Sequence, residues 1–245
     1  MPVKLGWIRD RRADGPRARP FGLVRPDFIL GAMYGSDADY VIPSSCPILT
    51  QDAEDCVSNA TAAAFKVRAE VLGVVLPLLS RRAIQYHCRL VDGTQGQDVG
   101  TYVVNATSTL ARLGAPAESL WPYTADPYSQ PALAAEEGAY DHKIAGHFQI
   151  ADGALADVAL AVRAAHPVIF GVEVTQSFVD FTGVRTYSQS GKIVGGHCMV
   201  IDGVRGNGAE FRVRNSWGTG WGEQGVAWVD AMFVASGSDF HVVTL

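Results

Sequence analysis

The sequence predicts an α+β protein, with a helical half followed by an antiparallel sheet half. Three observations lead there. Between residues 57 and 113 lie three Gly- and Pro-poor stretches of helical character. Between 168 and 229 the texture changes to short apolar runs separated by turn residues. Two of those runs are joined by Arg205-Gly206-Asn207-Gly208, a strong hairpin turn. A cleft between two such halves is the natural place for chemistry.

The elements follow in chain order. Residues 1–40 read as an extended arm, because Gly15-Pro16, Arg19-Pro20 and Arg25-Pro26 break any helix. One short strand is expected in it near Phe28-Ile29-Leu30. Residues 57–72 read as a helix whose alanines allow close approach of its neighbours. Ser80 is an N-cap for a second helix over 81–90. A third helix is expected over 98–113, ended by Gly114 and Pro116. Residues 126–140 read as a connection, and 154–166 as a helix stopped by Pro167. Strands are expected over 168–174, 196–203, 210–214 and 225–229.

Composition narrows the function. With 245 residues, 48% of them hydrophobic, the chain buries a large core without staples. No apolar run approaches the ~18 residues of a membrane span, so no membrane partner is expected. Lys+Arg 20 against Asp+Glu 25 gives a net charge of −5, and no nucleic-acid partner is expected. The arginines of the arm are interrupted by Asp10 and Asp14 and read as a solvated segment, with a protein partner the alternative use. Met1 to Leu5 leads into charge and not an apolar region, so no signal peptide is expected and a cytoplasmic location is the default. The four cysteines form no Cys-x-x-Cys pair, so neither metal nor other cofactor is expected. Cys46, Cys88 and Cys198 read as small buried apolar residues.

Cys56 differs, because it stands at the first turn of a buried helix, where unpaired N–H groups favour a thiolate. A nucleophilic thiol needs an imidazole to take its proton and later protonate a leaving amine. His197 is placed for this, at the start of a strand behind Gly195-Gly196. His87, His142, His147, His166 and His241 read as surface or satisfied core residues. The imidazole in turn needs an acceptor that fixes its orientation. Asn215, one hairpin away from His197, can supply it, with Trp217 and Trp221 as cover that excludes water or as ordinary core.

The run Asn215-Ser216-Trp217-Gly218-Thr219-Gly220-Trp221-Gly222-Glu223-Gln224-Gly225 resembles the asparagine segment of the papain-like cysteine peptidases. Gly196-His197, followed by Met199-Val200-Ile201, resembles that family's histidine strand, and Leu120-Trp121-Pro122-Tyr123 its Trp/Tyr-Pro-Tyr segment. Asp92-Gly93-Thr94 through Gly100-Thr101 resembles the bacterial branch. The resemblance covers residues 41–245, in the family's order Cys, His, Asn. It implies a helical left lobe over about 41–130, an antiparallel, barrel-like right lobe over about 131–245, and a peptide or protein substrate in the cleft between them. It also implies Cys56 as nucleophile, His197 as acid and base, Asn215 as orienting residue and Gln51 as oxyanion donor, with Trp217 shielding the triad.

The chain departs from the family's pattern just before the thiol. Gln51-Asp52-Ala53-Glu54-Asp55-Cys56 is one residue shorter than the family's Gln-to-Cys loop and lacks both its glycines. Asp52, Glu54 and Asp55 are expected to raise the thiol pKa. Val57 replaces an aromatic and Cys198 a small residue. The segment ahead of Cys56 is shorter than the family's full pro-segment, and the arm is itself a candidate occupant of the cleft. Two functions therefore stand side by side: a thiol peptidase working through an acyl-enzyme, and a catalytically weak or silent module of the same fold used for binding or assembly.

Overall fold

A computed structural model of the protein describes residues 3–12, 18–21, 38–124, 126, 128–139 and 142–245. The helices are α1 (Cys56–Val71), α2 (Arg81–Asp92), α3 (Val103–Arg112), α4 (Leu133–Ala139), α5 (Leu155–Arg163), α6 (Gln176–Val179) and α7 (Ala231–Ala235). The strands are β1 (Arg19–Pro20), β2 (Tyr40–Val41), β3 (Gly146–Ile150), β4 (Val168–Thr175), β5 (Ile193–Arg205), β6 (Glu210–Arg214), β7 (Val226–Asp230) and β8 (Ser238–Thr244). They form one sheet in the order β1-β3-β8-β4-β5-β6-β7, with β2 pairing on β5. Every pairing is antiparallel except β1 with β3.

The α+β plan holds, but the sheet does not close into a barrel. Closure would require its two edges to pair. Instead one edge ends on the two-residue β1. Along the other, the Tyr187 N–H donates to the Trp228 carbonyl at 2.8 Å and the Asp230 N–H to the Tyr187 carbonyl at 3.1 Å.

The alanine-rich α1 is buried nearly all round and packs against β5, the longest strand. Ser80 caps α2 as its sequence predicts, its hydroxyl accepting from the Ala83 N–H at 3.1 Å. The third helix starts later than expected, at Val103, because residue 101 instead pairs with the arm: Trp7 and Thr101 form a parallel bridge. The 206–208 turn links β5 and β6. The stretch read as a connection contains α4, and α5 is shorter than the helix expected there. β3 and β8 carry no turn-bounded signal in the sequence, yet β8 lies between β3 and β4. The strand expected near Phe28 lies outside the described residues, and the arm's observed strand is β1.

Phe178, fully buried on α6, is the centre of an aromatic cluster beside β4. Its ring lies 5.0 Å from Tyr187, 5.9 Å from Trp217, 4.9 Å from Trp221 and 5.0 Å from Phe233. Phe178→Ala is expected to cost about 3–5 kcal/mol, because the surrounding rings cannot collapse into the space it leaves. Urea unfolding of the two proteins measures it.

Candidate active site

Cys56 is the first residue of α1 and is fully buried. The carboxylates ahead of it are met by counter-charge. Asp55, 0% exposed, accepts hydrogen bonds from Arg82 Nη1 at 3.2 Å, from the Tyr123 hydroxyl at 2.9 Å and from Asn59 Nδ2 at 3.1 Å. Arg82 also pairs with Asp52 at 2.7 Å, through its other terminal nitrogen. The guanidinium groups of Arg81 and Arg82 both lie on the Tyr123 ring, 3.7 and 3.9 Å from its centroid. Burial still pushes Asp55 up to about 6, while Tyr123 and Arg82 pull it down.

β5 and β6 pair with Val200 opposite Arg214, which brings residues on either side of that pair together across the two strands. His197 and Asn215 meet there, Nε2 to Oδ1, at 2.7 Å. Oδ1 also accepts from the Ser216 N–H at 2.7 Å, which fixes the amide orientation. The Trp217 ring stacks on the imidazole with centroids 4.3 Å apart and planes 23° from parallel. The other imidazole nitrogen, Nδ1, is buried without a hydrogen-bond partner among the described residues. Burial lowers the His197 pKa to about 4, against the raising effect of Asn215. Burial pushes Cys56 up to about 12, with Asp55 adding to it; the backbone N–H groups of Cys198, Gly6 and Val57 act in the opposite direction. Thiol and imidazole are therefore both neutral at pH 7 in this state.

The segment carrying Gln51 is tied to the Asn215 segment. The Gln51 N–H donates to the Ser216 carbonyl at 2.8 Å, and the Gly218 N–H to the Leu49 carbonyl at 2.9 Å. The Ser216 hydroxyl donates to Gln51 Oε1 at 2.6 Å. Gly218 has φ +72°, and a Cβ there would come within 2.9 Å of the Thr50 hydroxyl, which accounts for the glycine after Trp217. Gln51 Nε2 donates to the Lys4 carbonyl at 3.0 Å and to the Ala53 carbonyl at 3.0 Å.

Lys4 opens a segment, residues 4–8, that runs between Thr101 and Gly196. The Thr101 N–H donates to the Gly6 carbonyl at 2.9 Å, and the Ile8 N–H to the Thr101 carbonyl at 3.1 Å. From the other side, the Trp7 N–H donates to the Gly196 carbonyl at 3.3 Å. Lys4 Nζ pairs with Asp98 at 2.8 Å, and the same carboxylate accepts the Glu54 N–H at 2.9 Å. Beside the arm runs a groove of about 570 Å³, bounded by Glu54, Val99 and Gly100 and by residues 194–196.

The residues singled out from the sequence thus lie on four segments: Gln51 ahead of α1, Cys56 at the start of α1, His197 on β5, and Asn215 with Trp217 just beyond β6; His197 touches Asn215 and Trp217, and Gln51 is tied to Ser216. Sequence reasoning missed Arg82, Asp98 and Trp7, and it named Tyr123 only within the Leu120–Tyr123 motif, without its contact to Asp55. Arg82 had a signal: acids ahead of a buried helix need a nearby cation, and Arg81-Arg82 opens the next helix. Trp7 had none. Arg82→Leu would leave Asp55 buried without its ion-pair partner; it is expected to destabilise the protein by about 3–5 kcal/mol in urea unfolding, and Arg82→Lys by less.

Residues 51–234 match the family described as Papain family cysteine protease. An uncharacterized peptidase C1-like protein of Acanthamoeba polyphaga mimivirus is 27% identical over 212 residues, covering 77% of this chain and 66% of its own length. In fold, the chain is similar to xylellain, a cysteine protease from Xylella fastidiosa, with a TM-score of 0.84 at 22% identity, over 98% of this chain and 95% of that one. It is also similar to digestive procathepsin L2 from Tenebrio molitor larval midgut, with a TM-score of 0.76 at 18% identity, over 98% of this chain and 77% of that one. With most of its length matched to one family and the same fold in that family's solved structures, the chain belongs to the papain family of cysteine proteases.

Proposed function

We propose that Cys56, His197 and Asn215 form the catalytic triad of this cysteine peptidase, that Gln51 is its oxyanion donor, and that the arm blocks the cleft. The carrying observation is the 2.7 Å contact between His197 Nε2 and Asn215 Oδ1 under the Trp217 ring, on the strand against which the Cys56 helix packs. The chain would divide into an arm over 1–40, a helical lobe over about 41–130 and a sheet lobe over about 131–245, with peptide or protein substrates between the lobes.

In the open enzyme, water reaching the cleft reduces the desolvation that holds both groups neutral, and the Cys56 proton passes to His197. The thiolate attacks the substrate carbonyl carbon. The carbonyl oxygen becomes an oxyanion and accepts from Gln51 Nε2, in the place taken by the Lys4 carbonyl. His197 gives its proton to the amine nitrogen as the C–N bond breaks, leaving a thioester on Cys56. Water then attacks that carbonyl, His197 takes its proton, and the C–S bond breaks to release the acid. Asn215 holds the imidazole without competing for the proton.

One observation favours the silent-module reading: the arm, not solvent, takes up the Gln51 donor. A single variant separates the two. A Cβ on Gly6 would overlap the Glu54 backbone, so Gly6→Val should expel the arm. In the parent, Cys56 alkylation by iodoacetamide should be slow at pH 7 and rise with pH toward 12, as the thiolate fraction grows. In Gly6→Val it should be fast at neutral pH, and slow again when His197→Ala is added. A Gly6→Val thiol that titrates like a free cysteine, indifferent to His197, would establish the silent module.

In the Gly6→Val background, Gln51→Ala is expected to cost about 2.7–4 kcal/mol in the chemical step, as loss of one oxyanion donor does elsewhere. Asn215→Ala should lower kcat while leaving residual turnover, because the imidazole remains but loses its orientation. Steady-state kinetics on a fluorogenic peptide read both.

A further inference from the structure

The proposed triad uses one cysteine, and a second lies beside it. Cys56, Asn59, Ala60 and Ala63 recur at helical spacing and share one face of α1. Asn59, Ala60 and Ala63 line a cavity of about 10 Å³ together with Cys198 and Val200 of β5. Cys198 therefore stands against the helix face that Cys56 begins. Its N–H donates to Cys56 Sγ. A sulfur held on that N–H is also close to the Cys198 Cβ, because both belong to one residue. A disulfide needs Cβ atoms about 3.5–4.5 Å apart. The side chains between are alanines, and the cavity gives Cys198 Sγ space to turn toward the start of the helix.

The glycines around Cys198 decide what reaches it. Gly171 stands opposite Cys198 across β4 and β5, and Gly196 is two residues before it, so all three share one face of the sheet. The Trp7 indole lies on both glycines: a Cβ on Gly171 would overlap the ring, and one on Gly196 would come within 2.8 Å of it. Trp7 Nε1 donates to Asp239 Oδ2 at 3.0 Å, which anchors the indole there. When the indole leaves, Cys198 is bordered by two residues that have no side chain to cover it.

The two thiols differ in reactivity. Burial raises the Cys198 pKa well above the ordinary thiol value, and the charges of Cys56 and Asp239 add to it. Cys198 thus keeps its proton when Cys56 gives its own to His197. A protonated thiol reacts slowly with peroxide, so Cys56 is oxidised first. Cys198 then attacks from an adjacent position, where the advantage of proximity replaces that of ionisation.

We infer that Cys198 is the resolving thiol of Cys56: in the open enzyme a hydroperoxide oxidises Cys56, and Cys198 captures the product as a disulfide that switches the site off reversibly. The Cys56 thiolate attacks a peroxide oxygen and the O–O bond breaks. Cys56 becomes a sulfenic acid, and the alkoxide or hydroxide leaves with the proton held by His197. Cys198 Sγ attacks the Cys56 sulfur, the S–O bond breaks, and the departing hydroxide takes the Cys198 proton as water. In sum, two thiols are oxidised to a disulfide and one hydroperoxide is reduced to an alcohol or water, with a second water released. Exchange with an external dithiol restores both thiols. The inference rests on the peptidase reading for the reactivity of Cys56 and adds a modification site to it.

Hydrogen peroxide treatment of the Gly6→Val protein at pH 7, followed by peptide mapping without reduction, tests the pair. A Cys56–Cys198 linked peptide should appear, with Cys46 and Cys88 remaining free. Iodoacetamide labelling of Cys56 should be lost and then restored by dithiothreitol. With Cys198→Ala added, which keeps the backbone N–H, Cys56 should pass on to sulfinic acid, and the labelling that dithiothreitol restores should fall at least about tenfold. In the parent, with Trp7 in place, the linked peptide should form at least about tenfold more slowly. Sulfinic acid on Cys56 to the same extent with and without Cys198, in a protein that cleaves a fluorogenic peptide before treatment, would overturn the pair and leave the peptidase standing. A linked peptide in a protein that cleaves no substrate even after reduction would overturn the peptidase and leave the thiol pair. A Cys56 that peroxide leaves untouched in Gly6→Val would overturn both.

Discussion

The close packing of α1 on β5 is the constraint on which the rest of the molecule depends. Small side chains let the helix lie directly on the strand: Ala60, Ala62, Ala63 and Ala64 are all buried in one core with Val200 and Ile201. That contact fixes where the helix begins, and so where Cys56 stands relative to the His197 strand. The β5–β6 register then sets the imidazole against Asn215. The aromatic cluster around Phe178 holds Trp217 over that pair. Precision at the site is thus borrowed from core packing, which tolerates little movement.

The acidic loop before the thiol shows how a chain can depart from a pattern and keep its geometry. Loss of the family's glycines and of one residue would matter if the loop had to stay slack. Here it is made rigid by charge: Arg82 bridges Asp52 and Asp55, Tyr123 lies beneath both arginines, and Asp98 takes the Glu54 N–H. The Asp52 and Asp55 carboxylates are held by Arg82, and Asp55 still adds to the raised thiol pKa. What holds Cys56 neutral is chiefly burial. The arm supplies part of that burial, its Gly6 carbonyl held by Thr101 and its Lys4 carbonyl by Gln51. In the function proposed above, the segment that blocks the site also suppresses its ionisation, and both effects end together when it leaves.

Much of this was legible in the chain itself. The Ala-rich run, the Ser80 cap and the 205–208 turn follow from local rules that tertiary context did not override. The Asn-Ser-Trp-Gly segment is legible for a different reason: Gly218 is demanded by backbone conformation and by the nearness of Thr50. Cys56, His197 and Asn215 could be named because helix-terminal, strand and turn positions are readable in sequence, whereas Gln51 was named only through the resemblance to the papain-like peptidases.

What tertiary structure alone decided is everything that depends on meeting at long range. The sheet stays open because its edges, β1 and β7, never meet, and no periodicity records that. α3 starts late because Thr101 pairs with Trp7, distant along the chain and next to it in space. Asp55 gains Arg82 from another helix, and Asp239 gains Trp7 from the opposite end of the chain. Local sequence determines which backbone conformations are cheap. Only the folded chain determines which charges are buried and which donor reaches each of them, because desolvation is a property of the whole surrounding volume.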